Sequence, residues 1–407
     1  MNDRYDALVI GGGPAGSTAA GLLARAGWSV LLVEREAFPR RKVCGEYLSS
    51  TNWPFFQRLG LGRAFARMAG PEVRRVALFC GKDRVAAELP GLRECEQPWG
   101  RALSRQCLDA WLLAEAVRVG VEVRQLEQVE EVAQGPHGFT CRLAPSQAHR
   151  RGKQAAYQAR AAVVIGANGS WTPSPLGIPR PRSGPRAGDL FGFKAHFLEA
   201  HLPSGLMPLI SFPGGYGGMV ECEGGRVSLS CCVRRDRLAR LPRGAGQSAG
   251  EALLVYLLDS CSALRAVLEP AVVDGPWLSA GPIRPGIRAC YEHGIFRVGN
   301  AAGEAHPVVA EGISMALQSA WLLAERLIAA GRPARSFCDH DAVGRDYQAA
   351  WRRAFAPRIR AAAAVAHWAM HPAAVRCALP LVRRFPQLLT WGACQSGKAT
   401  RIVPATT

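Results

Sequence analysis

The stretch YDALVIGGGPAGSTAAGLLARAGWSVLLVERE, Tyr5 to Glu36, decides the fold. Ala7 to Ile10 is an apolar run stopped by glycine, which predicts a short buried strand. Gly11, Gly13 and Gly16 follow at G-x-G-x-x-G spacing. Ser17 to Ala26 is then a helix of small residues ended by Gly27, and Val30 to Val33 is the next strand. Each glycine has its own task. Gly11 makes the tight turn, Gly13 lets backbone N–H groups approach a pyrophosphate, and Gly16 lets helix and strand pack closely. Pro14 and Ala15 complete the loop, and the helix N-terminus adds positive potential for a diphosphate. Glu34, with Arg35 after it, closes the second strand about twenty residues on, where an acid reaches a ribose hydroxyl. Strand, glycines, helix, strand and acid in this order bind an ADP moiety, without choosing between NAD and FAD.

The 407 residues, 48% hydrophobic and 20% charged, suffice for a large core and two or three domains. The formal charge is +18, nearly all from arginine, since lysine occurs only at 42, 82, 153, 194 and 398. That charge suits anionic partners, or is scattered over a solvated surface. No basic run is interleaved with aromatics, so nucleic acid is not expected. The thirteen cysteines are odd in number and lack a C-x-x-C pair, which argues against a zinc site or a disulfide framework and fits a reducing cytoplasm. His367 and His371 lack a carboxylate at motif spacing, so no metal is expected. No leader precedes the first strand, which also predicts a cytoplasmic protein. The apolar stretch AAAAVAHWAMHPAAVRCALPLVRRFPQLLTW (361–391) is interrupted by Pro372, Pro380, Pro386 and three arginines. It reads as short packed helices, with peripheral membrane contact as the lesser alternative.

Four stretches carry a family resemblance. The first is the glycine unit. The second is FPRRKVCGEYLSS (38–50), which looks like a P-R-x-K-x-C-G loop through Pro39, Arg40, Lys42, Cys44 and Gly45. The third is LSRQCLDAWLLAEA (103–116), similar to an R-x-x-x-D-x-x-L helix through Arg105, Asp109 and Leu112, followed by the strand-like GVEVRQLEQVEEV. The fourth pairs AAVVIGANGSWTPSPLGI (161–178) with RVGNAAGEAHPVVAEGISMALQSA (297–320). Together they resemble the flavoprotein superfamily of p-hydroxybenzoate hydroxylase, within it the geranylgeranyl reductase-like branch. The resemblance implies an α/β protein with a Rossmann-type (GR2-like) FAD-binding domain, an interleaved antiparallel-sheet substrate domain and a helical C-terminal extension. It assigns 1–75, 100–180 and 280–330 to the FAD domain, 76–99 and 181–279 to the substrate domain, and 331–407 to the extension. It places FAD against Gly11, Gly13, Pro14, Ala15, Gly16, Glu34, Arg35, Lys42, Cys44, Gly45 and Arg105. Val129 would lie by the adenine. Asn300, Pro307, Gly312, Ile313 and Ser314 would lie by the flavin, the last three offering helix N-terminal N–H groups.

Alternation supports the second domain independently. LFGFKAHF, GGMVECEGGRVSLSCCV and GIFRVGN read as strands separated by glycine turns. QSAGEALLVYLLDSCSALRAVLE (247–269) reads as one helix, and ISMALQSAWLLAERLIAAG as another.

Two letters depart from the family. Asn168 stands in A-D-G and Asn300 in G-D, both where the family has aspartate. An amide still donates and accepts, so the site is read as retained with about 1 kcal/mol of charge assistance lost. Loss of negative charge near the ring is expected to raise the flavin potential above that of an Asn300→Asp variant.

Bound FAD supports two reactions. One is NAD(P)H-dependent hydroxylation of a hydrophobic aromatic or polyketide-like substrate, free or carrier-bound. The other is reduction of a carbon–carbon double bond in a prenyl or lipid-like substrate. NADH or NADPH would dock transiently, since no second glycine fingerprint exists, and Arg40, Arg41 and Lys42 could attract its phosphates. Reductases of the branch carry Y-x-W-x-F-P. Here Tyr216 matches, but Gly218 replaces the tryptophan and Glu221 the proline. The W-x-W-x-I-P of flavin halogenases is absent. Hydroxylation is the favoured reading, with Cys44, Tyr216 and His306 as catalytic candidates. A flavin-binding protein without turnover is the non-enzymatic alternative.

Overall fold

Strand Arg4–Ile10 sits at the middle of the first sheet, flanked in parallel by Val30–Glu34 and Tyr157–Gly166. The computed structural model describes residues 3–89, 91–92, 95–147, 155–170, 184, 186–332 and 340–395. The part of the fourth resembling stretch from Trp171 to Ile178 lies outside the described residues. Helices run Pro14–Arg25 (α1), Trp53–Arg58 (α2), Gly62–Met68 (α3), Arg105–Arg118 (α4), Arg235–Leu238 (α5) and Ala249–Ser260 (α6). They continue with Ser262–Leu268 (α7), Gly312–Ala330 (α8), Asp341–Ala369 (α9), Pro372–Arg384 (α10) and Gln387–Ala393 (α11).

Among the described residues the first sheet has eight strands. Its main path runs Tyr291–Glu292, Ile295–Arg297, Tyr157–Gly166, Arg4–Ile10, Val30–Glu34 and Glu122–Gln125. The hairpin Glu127–Gly135/Gly138–Pro145 branches from Tyr157–Gly166. Central strands buried on both faces are continuously apolar, as DALVI and VLLVE show, because helices cover one side and the hairpin the other. The expected run 120–132 is two strands, since Leu126 adopts φ +64° between them.

The second sheet draws its seven strands from 75–88 and 190–283. Every neighbouring pair is antiparallel except Leu206–Phe212 with Arg75–Cys80. Period-2 alternation sorts its faces. Phe191, Phe193, Ala195 and Phe197 turn toward α6 and α7, while Leu190, Gly192, Lys194 and His196 turn toward the first domain. The 247–269 region is two helices and not one. Cys261 takes φ −145°, ψ 103°, which frees the Ser262 N–H to donate to Gly81 O at 3.0 Å in the turn after Arg75–Cys80. A tertiary hydrogen bond thus overrides a continuous apolar pattern.

The C-terminal helices also differ from the expected short pieces. α9 is 29 residues long and passes through Pro357. Tyr347, Trp351, Phe355, Ile359 and Ala362 form one buried stripe inside the FAD-side core, and Tyr347 Oη donates to Arg297 O at 2.8 Å. Breaks fall at Pro372 and Pro386, whereas Pro380 sits within α10 on its exposed side.

Candidate active site

Two adjoining cavities lie at the carboxyl ends of the first sheet, sharing Gly13, Lys42, Val43, Ala167 and Ala280. The larger, about 940 Å³, is lined by Gly11, Gly13, Glu34, Arg35, Arg40, Val129 and Asn168. The glycine geometry explains why no side chain is tolerated there. Gly11 has φ +106°, and a Cβ on it would sit 2.7 Å from Ala167 O. A Cβ on Gly16 would meet Gly11 O at 1.8 Å, so α1 reaches the strand only because that atom is missing. Gly13 caps α1 without a side-chain acceptor, leaving first-turn N–H groups for an anion. Glu34 accepts from Gly12 N–H at 2.7 Å and Glu36 N–H at 3.0 Å, and keeps lone pairs for a hydroxyl.

Arg105 lines the smaller cavity, beside the shared Gly13. Its Nε and Nη2 donate to the two oxygens of buried Asp109 at 2.6 and 2.7 Å. This bidentate pair fixes the guanidinium beside Gly13, where a Cβ would lie 3.8 Å from Nη2. Lys42 faces both cavities. Burial, then the charges of Arg105 and Arg40, push its pKa down to about 8. A cluster of three cations partly balanced by Asp109 and Glu34 favours an anion between them.

The second cavity, about 230 Å³, lies between the two sheets. Pro14, Ala15, Cys44, Gly45, Glu46, Arg105, Asn300, Pro307, Gly312 and Ile313 line one side. Gly192, Tyr216, Gly217, Gly218, Ser230 and Cys232 line the other. α8 begins at Gly312 with no side-chain cap, so its first N–H groups are available. Ser314 is fully buried, does not line the cavity, and accepts from Asn52 Nδ2 at 2.8 Å; its hydroxyl anchors the helix start.

Tyr216 and His306 meet across the cavity, with 2.6 Å between Tyr216 Oη and His306 Nδ1. Burial lowers the His306 pKa to about 4 and holds Tyr216 well above its ordinary value. Both are therefore neutral at pH 7. With the ring hydrogen on Nε2 the phenol donates and Nδ1 accepts; with it on Nδ1 the roles reverse.

Asn300 has a different partner from the one its position suggests. Its Nδ2 donates to Glu304 Oε1 at 3.1 Å and approaches Ser170 Oγ at 3.5 Å. Glu304 is buried and lines the cavity. Burial raises its pKa, while Arg288, 3.4 Å away, opposes that. A carboxyl missing at 300 returns four residues later, so the expected loss of negative charge near the ring is only partial.

Glu46 is a second deeply buried carboxylate of the site, in addition to Asp109. It adopts φ +62° and contacts Lys194 Nζ through Oε1 and His196 Nε2, at 2.7 Å, through Oε2. Oε1 also accepts the Arg105 N–H at 2.7 Å, at the start of α4. Burial acts to raise the Glu46 pKa, but the His196 hydrogen bond and the Lys194 charge outweigh it and hold the carboxyl at about 2.

The profile described as FAD binding domain matches residues 4–227, more than half of the chain. The chain belongs to the FAD binding domain family. Digeranylgeranylglycerophospholipid reductase 2 of Methanopyrus kandleri is 26% identical over 331 residues, 77% of this chain and 74% of that relative. Two solved structures share the fold. The myxobacterial chondrochloren halogenase CndH matches with TM-score 0.75 at 22% identity, covering 96% of this chain and 91% of its own. A geranylgeranyl bacteriochlorophyll reductase-like protein of Thermoplasma acidophilum matches with TM-score 0.69 at 16% identity, covering 100% and 94%. The protein is thus a flavin-dependent oxidoreductase by family, with the α/β FAD-binding fold.

The residues fit FAD. Uncapped α1, Gly13 and Arg105 suit the diphosphate, Glu34 a ribose, Val129 the adenine side, and uncapped α8 the electron-rich edge of the ring. Of the residues expected to hold it, all but Gly16 and Ser314 line the two cavities, and Gly16 works through packing. Cys44, Tyr216 and His306 all reach the second cavity. Sequence reasoning missed Glu46, Lys194, His196 and Glu304. Two of them had a signal: Lys194 and His196 fall on one face of an otherwise apolar strand, which demands a buried acid. Among the described residues no His/Cys/Asp/Glu group could hold a metal, and no helix is long and apolar enough to cross a membrane.

Proposed function

We propose that the protein is an NAD(P)H-dependent monooxygenase that hydroxylates a hydrophobic ring substrate. One oxygen atom enters the ring, the other leaves as water, and NAD(P)H supplies the two electrons. Bound FAD would carry those electrons and activate oxygen. The chain's own residues hold the substrate and manage its proton. Met207, Leu209, Val220 and Ile283 give apolar walls that exclude water, and Gly217 and Gly218 leave space where branch reductases carry tryptophan.

The observation that carries this reading is the neutral Tyr216–His306 pair. Neither group readily gives up a proton at neutral pH, so the pair is a poor acid. It can relay one: a substrate hydroxyl donates to Tyr216 Oη while the phenol donates to His306 Nδ1, and His306, whose pKa burial holds at about 4, carries the proton only in passing. Ring hydroxylation draws on such a hydrogen-bonded relay at the substrate hydroxyl, whereas double-bond reduction needs a proton donor at carbon, which this neutral pair supplies poorly.

Double-bond reduction remains the second reading, favoured by Cys44 at the cavity and by the Methanopyrus relative. Mass spectrometry after incubation with labelled oxygen separates them. Product one labelled oxygen heavier supports hydroxylation; anaerobic product two hydrogens heavier overturns it. Absence of flavin reduction by NADH or NADPH would indicate a non-catalytic flavoprotein.

A further inference from the structure

The last 61 residues, 347–407, contain no aspartate or glutamate and nine lysines and arginines. Within the described part, Arg352, Arg353, Arg360, Arg376, Arg383 and Arg384 are exposed. The same helices expose large apolar side chains. α10 buries Val375, Leu379 and Val382 in one stripe, which leaves Leu381 (53% exposed) and Arg384 on its outer side. The outer side continues through Phe385 at the joint, then Leu388 and Trp391 (64% exposed), three residues apart on α11. Val365 and Trp368 are exposed near the end of α9. Tryptophan, phenylalanine and leucine among arginines, with no acid, is the composition of a helix lying in a lipid headgroup layer.

The inner sides of these helices pack on the cavity lining and on the second sheet. Ala366 and Met370 pack with Tyr216, Cys232 and Ile283, Leu389 and Ala393 pack against the cluster that holds Met207 and Val220, and Leu379 and Val382 pack on Leu78 and Val85 of the second sheet. The exposed face therefore continues from the end of α9, whose inner side packs on the cavity lining.

We propose that the outer face formed by the end of α9, α10 and α11 docks on the surface of an anionic lipid bilayer. Arginine attraction to acidic headgroups brings the protein down, and Trp391, Phe385, Leu381 and Leu388 insert at the acyl boundary. A second copy of the chain fits poorly. A two-fold contact would place the same arginines against each other, with Asp83 already engaged by Arg383 of its own chain. The proposal is independent of the reaction catalysed.

Co-sedimentation of the FAD-loaded full chain with vesicles tests it. Binding is expected to vesicles of mixed phosphatidylglycerol and phosphatidylcholine, to fall with salt, and to be weak to phosphatidylcholine alone. Arg376→Gln/Arg384→Gln weakens it roughly tenfold or more, as loss of two positive charges from these helices requires. Trp391→Ser/Phe385→Ser weakens it on both vesicle types, with FAD content unchanged. No binding to the acidic vesicles overturns the proposal. So does binding unaffected by the arginine pair, or a dimer in size-exclusion chromatography that Trp391→Ser dissociates.

Discussion

Replacing Glu46 by glutamine tests whether the buried network between the two sheets holds the site together. The carboxyl is 1% exposed and faces Lys194 and His196, which are equally enclosed. Its fall from an ordinary value of 4.5 to about 2 corresponds to roughly 3 kcal/mol of folded-state preference for the charged form. Removing one partner of a buried pair independently suggests about 3–5 kcal/mol, because the Lys194 ammonium loses its counter-charge. Glu46→Gln is therefore expected to destabilise the protein by about 3 kcal/mol at pH 7, read by urea unfolding followed by tryptophan fluorescence. The folded pKa lies below the unfolded one. The contribution is thus complete above about pH 4.5 and disappears as pH falls toward 2, so variant and wild type converge in acid. Glu46→Gln/Lys194→Met, which removes both charges, should recover more than about 1 kcal/mol of the loss. A single variant within about 1 kcal/mol of wild type at pH 7 would refute the reasoning.

Three further outcomes follow from the geometry. Gly16→Ala forces a Cβ against Gly11 O; overpacking by roughly 1–3 kcal/mol should appear as lost FAD affinity in a fluorescence titration, and unchanged affinity would contradict the packing role. Glu304→Gln removes the carboxyl beside Asn300 and should raise the flavin potential by roughly 30 mV, equal to about 1.4 kcal/mol for two electrons. Asn300→Asp should lower it by less, since a second carboxyl beside Glu304 favours a shared proton; dye-equilibrium titration decides, and an unchanged or lower potential in Glu304→Gln sinks the argument. His306 stays neutral down to about pH 4, so the pH profile of kcat/KM should show no His306 step near 6.5, and a step there that vanishes in His306→Gln would oppose the assigned protonation.

The FAD unit could be read from residues 5–36 because everything it needs is local. A strand is set by an apolar run, a turn by a glycine at φ +106°, and a helix start by Pro14 after an uncapped glycine. The long α8 and the alternating strands of the second sheet were legible for the same reason: period 3.6 and period 2 are properties of neighbours in sequence. Local pattern failed where a distant group competed. Ser262 found Gly81 and broke an apparently single helix, and the stripe from Tyr347 to Ala362 built α9 into the FAD-side core.

The chemistry of the cavity belongs to the second category. Tyr216 and His306 are 90 residues apart, and Glu46 and His196 are 150 apart. Nothing in either segment states that the register of Leu190–Leu198 in its sheet will set Lys194 and His196 over a loop residue held at positive φ. Asn300 shows the limit within only four residues. The sequence marked the missing acid, but only the short helical turn and the β-bridge after it brought Glu304 back onto the amide. By itself the sequence determined the cofactor and the frame that carries it. Tertiary structure decided which charges and protons face that cofactor, because pairing across sheets depends on register and burial.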